Sequence, residues 1–151
     1  MSVNEAHSDL CEMTPDSTGV FRLRRPRIAV IDDDQCIVSV VRRTLASEYD
    51  VYSHTDGNSA VQWLVGLEAE SAPDLVLCDM SLGPANGVDV YDGASAVTPR
   101  LRERIAFITG GACSERDGAF LAEHAEMIVH KPFTPHSLRA WVRSTLQRLG
   151  R

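Results

Sequence analysis

Three unbroken apolar runs, residues 28–31, 75–78 and 105–108, most constrain what this chain can fold into. A strand with one wet face alternates apolar and polar residues, so an unbroken run marks a strand covered on both faces. Longer segments with helical spacing lie between the runs, and this alternation predicts a parallel sheet with helices on both faces. Residues 50–55 and 127–130 are more mixed and suit the outer strands of the same sheet. The fold class is therefore α/β, with five parallel strands.

The helices follow from periodicity and capping chemistry. Ile37, Val41 and Leu45 recur after Asp34, whose carboxylate can accept from the unpaired amides of a first turn. Asn58 offers a similar cap to a segment bearing Val61, Leu64 and Val65. The last helix begins at Thr134 with Pro135 in its first turn, and Gly150 ends it. Its apolar face is Leu138, Trp141, Val142, Thr145, Leu146 and Leu149. Residues 88–97 and 114–124 make weaker helices, because Gly93 and Gly118 each cost about 1 kcal/mol relative to alanine. Residues 1–26 show no apolar period and read as a flexible arm before a domain at 27–151. The arm's basic cluster, Arg22, Arg24, Arg25 and Arg27, reads as a solvated stretch leading into the first strand.

Composition removes several function classes. A net charge of −6 argues against direct nucleic-acid binding, which draws its affinity from phosphate neutralisation. No apolar run is long enough for a membrane span, and the first residues lack the pattern of a secretory signal, so a cytoplasmic home is expected. Cys11, Cys36, Cys78 and Cys113 form none of the close pairs of zinc or redox motifs. The five histidines are equally scattered, and His130 reads as a strand-end residue. No transition metal is expected.

Chemistry gathers at one edge of the predicted sheet. Asp32, Asp33 and Asp34 follow the first strand, Asp79 ends the third, Thr109 closes IAFIT and Lys131 closes MIVHK. In open parallel sheets the crevice lies outside the carboxyl ends of the strands. Partly desolvated carboxylates repel one another, and a hard cation relieves that repulsion; magnesium takes oxygen ligands of this kind together with a phosphate oxygen. A hydroxyl and an ammonium opposite such a site suit a tetrahedral oxyanion. Alone, each residue has a bland reading as cap, turn former or surface group. Together, four of five strands deliver an acid, a hydroxyl or a cation to one edge, and chance explains that poorly.

On the motifs IAVIDDD, DLVLCDMSLGPANG, FITGG and HKPF, the chain resembles the receiver domain of bacterial response regulators from about residue 28 to 149. Thr109 stands thirty residues after Asp79, and Lys131 twenty-two after Thr109, the spacing of that family. The resemblance implies a flavodoxin-like (βα)5 fold with strand order 2-1-3-4-5. It implies Asp79 as phosphoacceptor, Asp33 as a direct magnesium ligand, Asp32 as an acid acting through water, and Ser81 as a backbone carbonyl ligand. Lys131 would bridge Asp79 and the phosphoryl oxygens, Thr109 would be the switch hydroxyl, Gly110 would leave room for the phosphoryl group, and Lys131-Pro132 would be cis. The aromatic that usually moves with the switch threonine falls at Ile128, Gly83-Pro84 alters the loop after the acceptor, and Gly111 supplies no side chain beside the site.

The implied function is a stand-alone receiver in a two-component phosphorelay. It would accept a phosphoryl group from a sensor histidine kinase or a histidine phosphotransfer protein, with Mg2+. It would signal to a downstream protein partner through the surface of the fourth helix, fifth strand and fifth helix, and a homodimer is compatible with this. It would not be an enzyme beyond its own phosphotransfer and autodephosphorylation. A degenerate receiver used only for docking would lack an acceptor, acid or lysine, and none is lacking here. A magnesium-dependent phosphohydrolase would want an acid where Ser81 stands, and in a flavin carrier Asp32, Asp33 and Asp34 would repel the cofactor's phosphate.

Overall fold

The computed structural model describes residues 13–15, 21–111 and 114–151, with the segments 13–15 and 21–23 described by backbone only. Cys11 and Cys113, like most of the expected arm, lie outside the described residues. The first elements are β1 (Met13–Pro15) and β2 (Phe21–Leu23), paired antiparallel. The sequence reading had no strand there, since three residues a side give too short a period to register.

Five strands form the main sheet: β3 (Arg27–Ile31), β4 (Asp50–His54), β5 (Leu75–Asp79), β6 (Ile105–Thr109) and β7 (Ile128–His130). Every neighbouring pair is parallel and the order is β4-β3-β5-β6-β7, which is 2-1-3-4-5 within the sheet. β5 and β6 are buried along their whole length, as their unbroken apolar runs require. β7 is shorter than predicted because Met127 belongs to a 3-10 turn, Ala125–Met127.

Alternate residues of each strand feed opposite layers. Ala29, Ile31, Val76, Cys78, Ile105 and Phe107 pack beneath α2 (Gly57–Gly66), α3 (Gly87–Val97) and α4 (Glu115–Glu123). Ile28, Val30, Leu75, Leu77, Ala106 and Ile108 pack beneath α1 (Gln35–Leu45) and α5 (Pro135–Arg148). A Cβ at Gly93 would lie 3.1 Å from a Val61 methyl. That glycine, which weakens α3 on propensity, lets it approach α2 closely.

Capping explains most boundaries. Asp34 and Thr134 cap α1 and α5 as predicted, and Gly150 turns the chain after α5 with φ +73°. For α2 the cap is Asp56 and not Asn58: the Asp56 carboxylate accepts from the Ser59 amide at 2.7 Å, which places Asn58 inside the first turn.

The arginine cluster also departs from expectation. Arg24 pairs with the buried Asp74 at 3.0 Å, Arg25 donates to the Ala46 carbonyl at 2.8 Å, and Arg27 donates to the Glu70 carbonyl. Arg24 and Arg27 are thus tied to the domain, Arg25 stays exposed while bonded to it, and the Arg22 side chain lies outside the described residues. A buried carboxylate such as Asp74 demands charged or hydrogen-bonding partners, and sequence periodicity does not reveal that demand. Among the described residues no helix is long and apolar enough to cross a membrane.

Candidate phosphoacceptor site

Parallel strands put their carboxyl ends at one edge, and there Asp32 follows β3, Asp79 ends β5, Thr109 ends β6 and Lys131 follows β7. Carboxylate oxygens of Asp32, Asp33 and Asp79 lie within 4.8 Å of one another. Asp32 is fully buried and Asp79 is 5% exposed, whereas Asp33 faces solvent. Asp34 stands apart as the α1 cap, its carboxylate accepting from the Cys36 amide at 2.8 Å.

One cation sits among the acids. The Lys131 Nζ donates to Asp79 Oδ1 at 2.9 Å and to Asp32 Oδ2 at 3.2 Å. Burial lowers the Lys131 pKa, but the hydrogen bond to Asp79 and the charges of Asp32 and Asp79 outweigh it, so the ammonium is held above its ordinary value. Desolvation raises Asp32, and the Asp79 charge adds to it, against the opposing Asp34 amide and Lys131. Two desolvated acids beside an exposed third, with one ammonium between them, form a hard oxygen donor set that remains net negative. That set fits a small divalent cation.

The remaining polar groups frame Asp79. Asp79 Oδ2 accepts from the Ser81 amide at 3.2 Å, and the Asp32 Oδ1 accepts from the Asp34 amide at 2.9 Å. The Thr109 hydroxyl donates to the Gly111 carbonyl at 2.8 Å and accepts from the Gly111 amide at 3.0 Å, so it engages the loop beyond β6. The Lys131 amide donates to the Thr109 carbonyl at 2.8 Å, which ties the ends of β6 and β7 together. Lys131-Pro132 is cis. A Cβ at Gly110 would meet nothing within 4 Å, so the space beside it is open.

Two features escaped the sequence reading. A Cβ at Gly87 would fall 2.9 Å from Met80 Sδ and 3.0 Å from the Asp79 carbonyl. The start of α3 is therefore seated directly on the backbone of Asp79 and Met80, and only glycine permits that approach. A short G-V-D string before a helix gave no sign of it. The second feature is aromatic. Ile128, partly buried, lies in register with Phe107, and Phe107 joins Tyr91, Phe120 and His124 in one cluster across α3, β6 and α4. These rings are dispersed in sequence, so no motif announced them. Beside Asp79, burial together with the Asp79 and Asp32 charges pushes the Cys78 thiol well above its ordinary pKa, which keeps it protonated and inert.

A family model for the response regulator receiver domain matches residues 28–143. The solved structures agree in fold. A CheY-like receiver domain protein from Methanospirillum hungatei superposes with a TM-score of 0.70 at 21% identity, over 83% of this chain and 97% of that one. The chemotaxis protein CheY4 of Vibrio cholerae gives 0.64 at 22% identity, over 83% and 99%. The BeF3-activated DrrB receiver domain gives 0.64 at 24% identity, over 83% and 100%. The chain belongs to the response regulator receiver domain family, the signalling domains of two-component systems.

Proposed function

We propose that residues 27–151 form a phosphoaccepting receiver that takes a phosphoryl group onto Asp79 from a phosphohistidine kinase or a histidine phosphotransfer protein. The observation that carries the reading is the Lys131 ammonium held between the buried Asp79 and Asp32 carboxylates at 2.9 and 3.2 Å, with Asp33 oxygens in the same cluster.

The residues divide the work by position. Asp33 and Asp79 would hold Mg2+ directly, with the Ser81 carbonyl, and Asp32 would hold one of its waters. Bound there, the ion neutralises charge on an anionic phosphoryl group that would otherwise be repelled by the acids. An Asp79 oxygen attacks phosphorus as the donor's N–P bond breaks, and the freed imidazole takes a proton from solvent. Lys131 then pairs with phosphoryl oxygens, the open space at Gly110 receives them, and the Thr109 hydroxyl leaves Gly111 to donate to one of them.

The signal would leave through the surface of α4, β7 and α5 to a protein partner, in a cytoplasmic setting. Such a domain is a signalling module and needs no catalytic turnover on another substrate. The test is labelling by acetyl phosphate or a phosphohistidine donor. Magnesium-dependent, acid-labile phosphate on Asp79, lost in Asp79→Asn, is the expected result; persistent labelling of that variant at another residue would overturn the assignment.

A further inference from the structure

The two outer strands of the main sheet differ in how open they are. β7 has three residues, short enough to blunt its edge, whereas β4 has five and runs in unbroken register beside β3 from Asp50 to His54. The Asp50 amide donates to the Pro26 carbonyl at 3.0 Å, and the His54 carbonyl accepts from the Asp32 amide at 3.1 Å. Alternate residues of a strand bond to alternate sides, so Asp50, Tyr52 and His54 turn their backbone groups toward β3 while Val51 and Ser53 turn theirs outward. No strand among the described residues pairs with that outer side. β4 also lacks the proline, lysine or bulge that usually protects an open edge.

The side chains along this edge have a symmetry of their own. Tyr52 is 42% exposed, with its ring 5.7 Å from Trp63 of α2, and Asp50 and His54 lie on the same face two residues to either side. Asp50 reaches Arg25 only at 3.8 Å. The His54 ring lies 4.6 Å from Trp63, and no described residue hydrogen-bonds its nitrogens. Arg42 donates to the Ser53 hydroxyl at 3.2 Å, which leaves the Ser53 backbone untouched. An acid at one end, an imidazole at the other and an exposed ring between them match themselves when the strand is turned end for end.

We propose that the outer edge of β4 is an interface between two copies of this chain, paired antiparallel about a two-fold axis at Tyr52. In that register Val51 lies opposite the partner's Ser53, and facing residues that both turn outward exchange N–H···O bonds. Tyr52 faces the partner's Tyr52 at a position between those bonds, where side chains come closest, and Asp50 faces the partner's His54. Of the two-fold registers, only this one sets Asp50 opposite that imidazole. The sheet then runs on through both copies. β7 lies at the far end of the strand order, and the proposal is independent of any role of Asp79.

The test is sedimentation equilibrium of the full chain across a range of concentrations. A monomer–dimer equilibrium is expected, weakened at least tenfold in Tyr52→Glu, which sets like charges against each other across the axis. Ser53→Pro is the second variant: the amide it removes points outward, so the dimer loses a bond and the ladder to β3 loses none. Circular dichroism checks the fold of both. Disulfide trapping, in a background of Cys11→Ser, Cys36→Ser and Cys113→Ser, reads the register. Tyr52→Cys is expected to cross-link two copies rapidly, because facing Cα atoms between the bonded pairs are about 4.5 Å apart, and Ser53→Cys, whose counterpart is offset along the strand, slowly. A chain still monomeric at about 1 mM, a dimer that either folded variant leaves intact, or cross-linking as fast at position 53 as at position 52 would overturn the proposal.

Discussion

Lys131→Ala isolates the electrostatic logic of the acceptor edge. The ammonium lies 2.9 Å from Asp79 and 3.2 Å from Asp32, whose side chains are 7% and 1% exposed. Removing one partner of a buried pair costs about 3–5 kcal/mol, and discounting for the roughly quarter-exposed lysine brings this to about 2–4 kcal/mol. For a domain of this size that lowers the melting midpoint by on the order of 10 °C. The deficit depends on pH in a defined direction. Burial already raises Asp32, and loss of the cation raises it further. A carboxylate with a raised folded-state pKa costs stability as pH climbs through that value, so the variant's deficit is largest near neutrality and shrinks in acid. The wild-type lysine, also raised, contributes throughout the neutral range, and its share is lost in alkali above the ordinary lysine value. Magnesium at about ten times its dissociation constant returns about 1.4 kcal/mol by mass action. Thermal melts from pH 5 to 8, with and without magnesium, measure the neutral deficit, its fall toward acid and the return by magnesium. A variant as stable as wild type at pH 7 and indifferent to pH and magnesium would refute the reasoning.

Asp33→Ala weakens magnesium binding far more than Asp34→Ala, whose loss removes a helix cap worth about 1 kcal/mol; equal losses of affinity would count against the distinction. Trp63 is the natural reporter, since its ring lies 4.6 Å from His54, whose carbonyl accepts from the Asp32 amide at 3.1 Å. Gly87→Ala destabilises by about 1–3 kcal/mol through overpacking and slows labelling of Asp79, measured by denaturant titration and acetyl phosphate kinetics; an unaffected variant means α3 does not pin the acceptor. Thr109→Ala keeps Asp79 able to accept phosphate but loses the spectral response of residues 114–124 and Ile128 to beryllofluoride, and an unchanged response removes Thr109 from the switch.

The sheet was legible because burial on both faces writes itself into consecutive residues. Ile28, Leu75 and Ile105 each open a run that no helix of similar length would need, and the strand order followed from the family resemblance. Boundaries were less legible where two residues flanking the same glycine could cap, as Asp56 and Asn58 on either side of Gly57, because capping is decided by a carboxylate's reach and not by residue type alone. The acids, Thr109 and Lys131 were visible as strand-end punctuation. Asp74 with its arginines was not, since partners from positions 24, 27 and 151 meet only through the fold. The approach of Gly87 to Met80 was hidden for the same reason.

The aromatic cluster bears on how a receiver can work with an aliphatic residue at Ile128. Phe107 and Thr109 are two residues apart on β6 and so share a face of the sheet. Phe107 meets Phe120 at 5.0 Å, Tyr91 meets Phe120 at 5.2 Å, and Phe120 stacks on His124 at 4.2 Å. Each such contact is worth about 0.5–1.5 kcal/mol beyond the area it buries, so the rings couple α4 to β6 firmly. If Asp79 is phosphorylated as proposed, motion of Thr109 toward the phosphoryl group would displace the end of β6, and α4 would be carried with the rings rather than released by a single side chain rotating past Ile128. The glycines at 110 and 111 give the connecting loop the freedom this requires, Gly111 already holding φ +142°. On that reading, aromatic bulk placed in the helical layer would provide the coupling that the family resemblance assigns to an aromatic at the position of Ile128.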